Sequence, residues 1–547
     1  MKKLLSPFLF VISFISLHSF AQDNPLFSHL PPEATSVFQI NVPALASKIP
    51  WQDLMGKMPM KPKDASQQKM MDILKNPFAT GINITKDFFI TATDKSGPDS
   101  VTITSIIFHL ADSAKFVAFM TKQEPGIRFF NLPKGRTAGK GEYGVAWDKD
   151  LAVVTMIKPD TGTFYTAPYP PAPKGKAAPA PKKHPAGNYA MLAARKSLAA
   201  LKGFDGSFYT TDATFKAGFS DDADMHAWAP QGAGLGMLAK SLMRKSPMGN
   251  QGLGKVMGMH QRSVHILTSL RFETGKVTIK SQATYPPDTM AMYAKFIGKP
   301  LNTDLIAHLP KGKLLGMISF HFNPGAIGDI TKGKNREKID SMLAPKGLTL
   351  EDISRAFQGD FLVAGLIPDG QPDDSTGKSK QPSVYIVTTI NDMQAFTKLA
   401  VKTKLMKDPA AASGDSTATE PNLLDKMKMA YTIKDNILVL STSKANADGY
   451  AGNTDKRSTD FIPALVKSNP VSLLINLKVV GDLVLKMSKG QESQADRDKK
   501  IRQVLDTLDT FIIAGGEIQD GKVQTTIELK MTNSSENSLK SLIKLMQ

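Results

Sequence analysis

Few side chains in this chain have the type and spacing needed for chemistry. Cysteine is absent, which removes thiol nucleophiles and thiolate metal ligands. None of the nine histidines lies in a His-Glu-x-x-His motif, and the five-residue separation of His260 and His265 does not align them on one helix face. No Gly-x-Ser-x-Gly nucleophile motif occurs. Motifs therefore predict no catalytic residue and no metal ligand, and a site assembled from distant residues stays open as an alternative.

Two short motifs have both a functional and a structural interpretation. Asp221, Asp222 and Asp224 offer oxygens to calcium, but the glycine and distal glutamate of an EF-hand loop are missing, so an exposed acidic turn is favoured. The glycines of 232–236 resemble a phosphate-binding loop at a helix start. Their spacing differs from the dinucleotide fingerprint, so a closely packed helix start is favoured and no cofactor is predicted.

The densest basic cluster lies in a proline-rich segment, 166–187. Such a segment is too poor in apolar side chains to offset the entropy of ordering, so we expect an extended, solvated insertion. One interpretation is a tether for an anionic polymer, and the other is a tolerated surface loop. The candidate polymer contacts are Lys174, Lys176, Lys182 and Lys183.

A second unusual segment, 225–259, is rich in methionine and glycine. Methionine adapts to irregular surfaces, so an apolar groove is one interpretation of this segment. An adaptable pair of core helices followed by a loop is the alternative.

The N-terminus predicts export. Lys2 and Lys3 precede a mostly apolar run, 4–17, which is short for a bilayer span, and Ser19-Phe20-Ala21 fits a signal-peptidase site before Gln22. Cleavage would leave no transmembrane segment and would place the protein in the periplasm or outside the cell. The formal charge of +18 loses two lysines, giving +16. In that compartment, the charge is consistent with an anionic envelope polymer or another envelope protein as partner, and no nucleic acid; the alternative is a basic, solvated surface without a specific partner.

The elements along the chain repeat in order. The apolar run 37–42 follows Leu30-Pro-Pro, and the run 314–322 follows Leu309-Pro-Lys. The strand-like segments 101–108 and 384–390 each precede a helix capped by aspartate. Gly275-Lys-Val matches Gly521-Lys-Val, an offset of 246 (521 minus 275). The shared order of elements predicts a tandem duplication.

Hairpins dominate both halves, so the predicted fold class is α+β: a mixed, mainly antiparallel sheet with helices, in ferredoxin-like strand order. The predicted domains are a signal peptide over 1–21, a first module over 22–298 that contains the 166–187 insertion, and a second module over 299–547.

The segment Leu30-Pro-Pro-Glu-Ala-Thr-Ser-Val-Phe-Gln-Ile-Asn-Val-Pro-Ala-Leu45 and the Phe-Ala-Gln end of the signal peptide carry a resemblance. The chain resembles an uncharacterised family of exported Bacteroidetes proteins that share a domain of unknown function. Many members of that family are lipoproteins, and this chain differs by lacking cysteine. The resemblance implies no activity. The predicted function is a non-catalytic cell-envelope binding or assembly protein, and the alternative is an envelope hydrolase with a site between the modules.

Overall fold

The computed structural model describes residues 24–49, 77–94, 101–132, 135–159, 189–230, 265–300, 302–330, 334–369, 382–406, 422–453, 457–487 and 495–545. The predicted signal peptide, the 166–187 insertion with its four lysines, and the glycines of 232–236 lie outside these residues.

Strands and helices alternate along the described chain. The strands are β1 (Ser36–Ile40), β2 (Phe88–Asp94), β3 (Val101–His109), β4 (Arg128–Leu132), β5 (Gly135–Lys140), β6 (Tyr143–Trp147), β7 (Leu151–Pro159), β8 (Met225–Pro230), β9 (His265–Glu273), β10 (Lys276–Ala283), β11 (Gly312–His321), β12 (Phe357–Pro368), β13 (Ser383–Ile390), β14 (Ala430–Lys434), β15 (Ile437–Ser441), β16 (Val471–Asn476), β17 (Leu508–Gln519) and β18 (Lys522–Met531).

The helices are α1 (Val42–Lys48), α2 (Ser113–Gln123), α3 (Ala190–Lys202), α4 (Phe208–Thr211), α5 (Ala213–Gly218), α6 (Pro287–Phe296), α7 (Thr303–Ala307), α8 (Ile327–Ile330), α9 (Lys334–Leu343), α10 (Leu350–Ala356), α11 (Met393–Lys402), α12 (Leu423–Met427), α13 (Lys444–Gly452), α14 (Ala464–Lys467), α15 (Leu477–Met487), α16 (Ala495–Thr507) and α17 (Ser538–Leu545). None of the helices in the described segments is long and apolar enough to cross a lipid bilayer.

The chain divides into two compact units. The first comprises Met1–Ala233, His265–Phe272 and Leu542–Gln547, and the second comprises Gly234–Val264 and Glu273–Ser541. The predicted modules 22–298 and 299–547 place β10 in the first half, whereas β10 pairs with β18 inside the second compact unit.

The first unit contains an antiparallel sheet in the order β9-β8-β1-β2-β3-β7-β6-β5-β4. The helix α3 packs against β5, β6 and β7. Its small buried residues, Ala190, Ala193 and Ala194, bring the helix backbone close to Gly144 of β6. An aromatic cluster that includes Phe27, Phe89 and Phe215 fills the core beside α4 and α5.

The second unit contains an antiparallel sheet in the order β10-β18-β17-β16-β11-β12-β13-β15-β14. Its main core joins inward residues of these strands, including Leu362, Val387 and Ile512, to Tyr450 of α13 and Ile306 of α7.

The α+β class and the mainly antiparallel sheet are confirmed, but the ferredoxin-like strand order is wrong. A split β-α-β unit leaves a gap between two parallel strands, which another strand fills. Here β1, β2 and β3 are direct antiparallel neighbours, and so are β11, β12 and β13. Local patterns predicted many of the strands and helices, but the hydrogen-bonded pairing is a long-range property that such patterns leave undetermined.

Candidate functional site

A polar cleft of about 660 Å³ lies in the second unit, where β11 ends and β12 begins. Its volume falls in the range of ligand sites in proteins. Five of its lining side chains can form hydrogen bonds and are uncharged polar groups. The lining consists of Lys299, Pro300, Asn302, His321, Asn323, Pro324, Gly325, Ser354, Phe357, Gln358, Asp360 and Asn391.

A histidine and an aspartate form the most buried polar pair of this lining. His321 ends β11 and lies directly opposite Asp360 of β12 in the sheet register. The imidazole Nδ1 lies 2.8 Å from Oδ1 of Asp360, and the two side chains are 11% and 12% exposed. A carboxylate accepts only, so Nδ1–H donates to Asp360 and leaves the lone pair of Nε2 available. The pair therefore presents an oriented acceptor beside a carboxylate.

The backbone at Gly359 makes this pairing possible. Gly359 has a φ of +107°, and a Cβ at this position would lie 1.8 Å from the carbonyl oxygen of Phe322. The Phe322 N–H donates to the Gly359 carbonyl at 3.1 Å. Only glycine permits so close an approach in this conformation. The chain thus needs a glycine immediately before Asp360 to hold the carboxylate next to His321.

Asparagine caps hold two rims of the cleft in place. The Asn302 side chain accepts from the Asp304 N–H at 3.1 Å and starts α7. The Asn323 side chain accepts from the Gly325 N–H at 3.0 Å and starts the short 3-10 turn Pro324–Ala326. Each side-chain oxygen is used in capping, which leaves the amide NH₂ groups as donors.

The remaining wall mixes amide, hydroxyl and aromatic groups. The Gln358 side chain is exposed, and Asn391 donates to the Arg355 carbonyl at 3.1 Å. Ser354 donates to the Glu351 carbonyl at 2.9 Å, within its own helix. Phe357 is half-buried, and its ring packs on Phe361 and Phe396 with centroid separations of 5.6 and 5.8 Å. An aromatic face surrounded by neutral donors and acceptors can hold a ligand that carries many hydroxyl groups.

Asp221, Asp222 and Asp224, which the sequence offered as candidate calcium ligands, form ion pairs in the first unit. Asp221 lies 2.6 Å from Nε2 of His226 and 2.8 Å from Arg271, and Arg271 also pairs with Asp222. Asp224, which is fully buried, lies 2.5 Å from Nζ of Lys48. Cationic partners occupy these carboxylates, so the motif is a structural ion-pair cluster. In the described segments, no group of three or more acidic, histidine or cysteine side chains could hold a metal ion.

The environment of Asp221 favours its charged form. Burial alone would raise the pKa of this carboxyl. The hydrogen bond to His226, the Ala223 N–H and the charge of Arg271 outweigh that effect and hold the pKa well below its usual range.

The structure brings together residues that no sequence motif had connected. Lys174, Lys176, Lys182 and Lys183 lie outside the described residues, as does most of the methionine-rich segment. His321 and Asp360 are separated by 39 residues and meet only because β11 pairs with β12. The one local signal was polar residues at the end of a predicted apolar strand.

Comparisons with known proteins give little further information. No family model matches the chain, and no curated protein matches it. Crystal forms IV, III and I of TP0453 align over 50%, 54% and 49% of this chain and over 86%, 89% and 81% of that protein. The identities are 6%, 7% and 6%, and the TM-scores are 0.26, 0.25 and 0.25. TM-scores this low do not establish a shared fold.

Proposed function

We propose that this is an exported, non-catalytic cell-envelope protein that binds a hydroxyl-rich ligand, of the saccharide class, in the cleft of the second unit. One observation carries the proposal: a cleft of about 660 Å³ presents five uncharged polar side chains around the His321–Asp360 pair. A sugar presents hydroxyl groups that donate and accept at many angles. Amides, a carboxylate and an oriented imidazole supply the matching partners.

The balance of charge in the cleft supports a neutral or weakly acidic saccharide. Lys299 is the cationic side chain of the lining, and Asp360 is the carboxylate. The neutral imidazole of His321 hydrogen-bonds Asp360 without cancelling its charge, so the cation and the carboxylate of the lining leave the cleft without net charge. Phe357 offers a ring on which the apolar face of a sugar can pack.

The hydrogen bond made by the Ser354 hydroxyl in the cleft lining favours binding over hydrolysis. Nucleophilic catalysis needs a hydroxyl within hydrogen-bond reach of a base. Ser354 donates instead to the carbonyl of Glu351. The His321–Asp360 pair remains the observation that would support a hydrolase, because an imidazole oriented by a carboxylate can activate water. The experiment below therefore includes a test for cleavage.

The proposed location rests on the N-terminal sequence, and the proposed attraction to anionic polymers rests on charge. The run 4–17 and Ser19-Phe20-Ala21 support export with cleavage before Gln22. The formal charge of +18 supports long-range attraction to an acidic envelope polymer. The four lysines of 166–187 belong to this part of the proposal as candidate contacts.

We also propose that the two halves of the chain arose by tandem duplication. The first unit has the sheet order β9-β8-β1-β2-β3-β7-β6, and the second has the order β17-β16-β11-β12-β13-β15-β14. Strands at the same place in the two orders also occur in the same sequence along the chain. Asp112 and Asp392 cap the helices α2 and α11, which follow the corresponding strands β3 and β13 along the chain.

Two further details support the duplication. Tyr209 and Tyr450 are both buried and donate to the carbonyls of Ala34 and Leu305, which precede the corresponding strands β1 and β11, at 2.6 and 2.5 Å. Within the second unit, Lys280 of β10 lies opposite Thr526 of β18. Because 280 plus 246 is 526, these two residues occupy equivalent positions in the two repeats. The equivalent strands β10 and β18 therefore pair with each other around equivalent residues, as two subunits do in a symmetric dimer.

The first prediction tests the binding function by calorimetric titration of the full mature chain. The probes are hexasaccharides of glucose, mannose, N-acetylglucosamine and galacturonic acid. We expect at least one to bind with a Kd of about 1 mM or tighter, corresponding to about −4 kcal/mol. His321→Asn and Gln358→Ala should each weaken that binding about tenfold or more, because each removes a ligand partner from the cleft.

Gln519→Ala is the matched control, because Gln519 is an exposed glutamine of the same unit outside the cleft lining. Equal losses in this variant, or no binding of any of the four probes, would contradict the proposal. Formation of new reducing ends in the same mixtures would favour the hydrolase. Binding of the galacturonate probe that falls steeply with salt would support the role of charge.

A further inference from the structure

We propose that the apolar cavity beneath α2 in the first unit binds a neutral, hydroxyl-bearing alkyl or acyl lipid, with the hydroxyl between Gln123 and Tyr143. The proposal concerns a different cavity from the saccharide cleft and does not depend on it. It rests on an apolar cavity whose lining also contains two buried polar atoms without a hydrogen-bond partner.

The cavity has a volume of about 100 Å³ and lies between α2 and the strands β3, β6 and β7. Its walls are mainly aliphatic and aromatic side chains, which cannot replace the hydrogen bonds that a polar solute makes with water. The apolar lining comprises Ile106, Phe108, Phe116, Phe119, Met120, Ile127, Val145, Val154 and Met156. This cavity is smaller than the apolar cavity of about 150 Å³ that binds benzene in a protein interior, so it has room for only a short stretch of an alkyl chain.

Two polar atoms of the same lining lack partners. Tyr143 is 6% exposed, and its hydroxyl is buried with no hydrogen-bond partner. Oε1 of Gln123 is also buried with no partner. Both residues line the cavity. Unpaired polar atoms are costly in a protein interior, so their presence on an apolar wall points to a ligand group that pairs with them.

The chemistry of these two atoms selects a hydroxyl head group. An amide oxygen accepts only, and a phenol both donates and accepts. A ligand hydroxyl can donate to Gln123 and accept from Tyr143. Burial and the nearby charge of Glu124 raise the pKa of Tyr143, so its hydroxyl stays protonated and able to donate.

The neighbouring charges disfavour a carboxylate head group. Glu124 lines the same cavity, and Nζ of Lys140 lies 3.5 Å from its carboxylate. Lys140 also donates to the Pro125 carbonyl at 2.7 Å. A fatty acid would place a second negative charge beside Glu124 and could not donate to Gln123. An alcohol of the same length avoids both problems.

The second prediction compares 1-hexanol with hexanoate as probes of the full mature chain at pH 7.5. We expect 1-hexanol at 10 mM to raise the thermal unfolding temperature and to bind with a Kd of about 1 mM or tighter. Hexanoate should bind at least tenfold more weakly. Equal binding of the two probes would overturn the head-group assignment, and no binding of 1-hexanol would mean that the cavity holds water only.

Two variants test the location. Tyr143→Phe should weaken 1-hexanol binding five- to tenfold while leaving the unfolding temperature unchanged or higher, because the lost hydroxyl has no partner in the protein. Val154→Phe should abolish binding by filling the cavity. If that larger substitution prevents folding, Tyr143→Phe decides the matter alone.

Tyr209→Phe is the matched control. Tyr209 is an equally buried tyrosine of the same unit, but its hydroxyl donates to the Ala34 carbonyl at 2.6 Å. This variant should lower the unfolding temperature and leave 1-hexanol binding unchanged. Weakened binding in both tyrosine variants alike would overturn the assigned site.

Discussion

At the scale of single residues, the aspartates of the turn at 221–224 form ion pairs. Asp221 accepts from His226 and pairs with Arg271, and Asp224 pairs with Lys48. The carboxylates therefore face cations and not a ligand. Sequence reasoning placed these aspartates in an exposed turn, which fits the high exposure of Asp222, but it did not foresee that Asp224 is fully buried.

The third prediction concerns the acid sensitivity that Asp221 contributes. Its pKa in the folded protein lies below the unfolded value of about 3.9, so its stabilisation is present above about pH 4 and is lost as the pH falls further. Asp221→Asn should reduce the free energy of unfolding at pH 7 by about 1 kcal/mol, a modest value because the side chain is half-exposed.

Urea unfolding curves of both proteins between pH 7 and pH 2.5 check this expectation. The difference between variant and parent should shrink towards zero below about pH 4. Asp205→Asn, at an exposed aspartate of the same unit, should change the free energy little at any pH. A difference for Asp221→Asn that grows as the pH falls would contradict the assigned ion pairs.

At the scale of elements, local sequence patterns predicted many of the pieces. The strand-like segments 37–42, 101–108, 314–322 and 384–390 were found as strands within a few residues of their predicted bounds. The predicted aspartate caps of α2 and α11 are present as hydrogen bonds. These features are encoded by adjacent residues, through apolar runs, turn residues and capping side chains.

Other elements could not be read from local patterns. The strand β5 reads Gly-Arg-Thr-Ala-Gly-Lys, which has neither β-branched enrichment nor apolar alternation. It is a strand because it pairs with β4 and β6 and supports α3. The His321–Asp360 pair and the gap beneath α2 depend in the same way on which strands become neighbours. The candidate sites were therefore beyond the reach of motif searches.

The fourth prediction concerns the contact between α3 and β6. A Cβ at Gly144 would lie 2.1 Å from the backbone nitrogen of Ala194. Gly144→Ala must therefore push the helix off the sheet, and it should reduce the free energy of unfolding by about 1–3 kcal/mol, as overpacking does.

Gly449→Ala is the control, because an added Cβ meets nothing within 4 Å on α13. Alanine is the better helix former, so this variant should gain about 0.5–1 kcal/mol. Chemical denaturation of both variants checks the pair. Unchanged stability in Gly144→Ala would mean that the helix does not rest on the sheet as described.

At the scale of the whole molecule, composition and the N-terminus carry the proposal about location. A chain of 547 residues can bury cores large enough to fold without disulfides, which agrees with the absence of cysteine. Each compact unit has its own buried clusters: Phe89 and Phe108 belong to two separate clusters of the first unit, and Leu362 and Tyr450 share one in the second. The basic charge is a property of the entire surface and supports attraction to acidic polymers without defining a contact.

The fifth prediction concerns export. The mature protein should begin at Gln22, because Ser19 and Ala21 provide the small residues that a signal peptidase recognises. Intact mass measurement of the protein isolated from its native cells should show the loss of residues 1–21. Retention of Met1 would contradict the proposed location, whereas the two candidate sites would stay testable in the purified chain.

The central claim is that the cleft of the second unit holds a saccharide, and hydrogen-exchange mass spectrometry of the full mature chain tests it most directly. The comparison is between free protein and protein saturated with the hexasaccharide that binds best. We predict slower exchange in peptides covering 321–325 and 357–360, the segments around His321 and Asp360, and unchanged exchange in β7 of the first unit. Protection confined to other segments, with no change at 321–325 and 357–360, would contradict the claim.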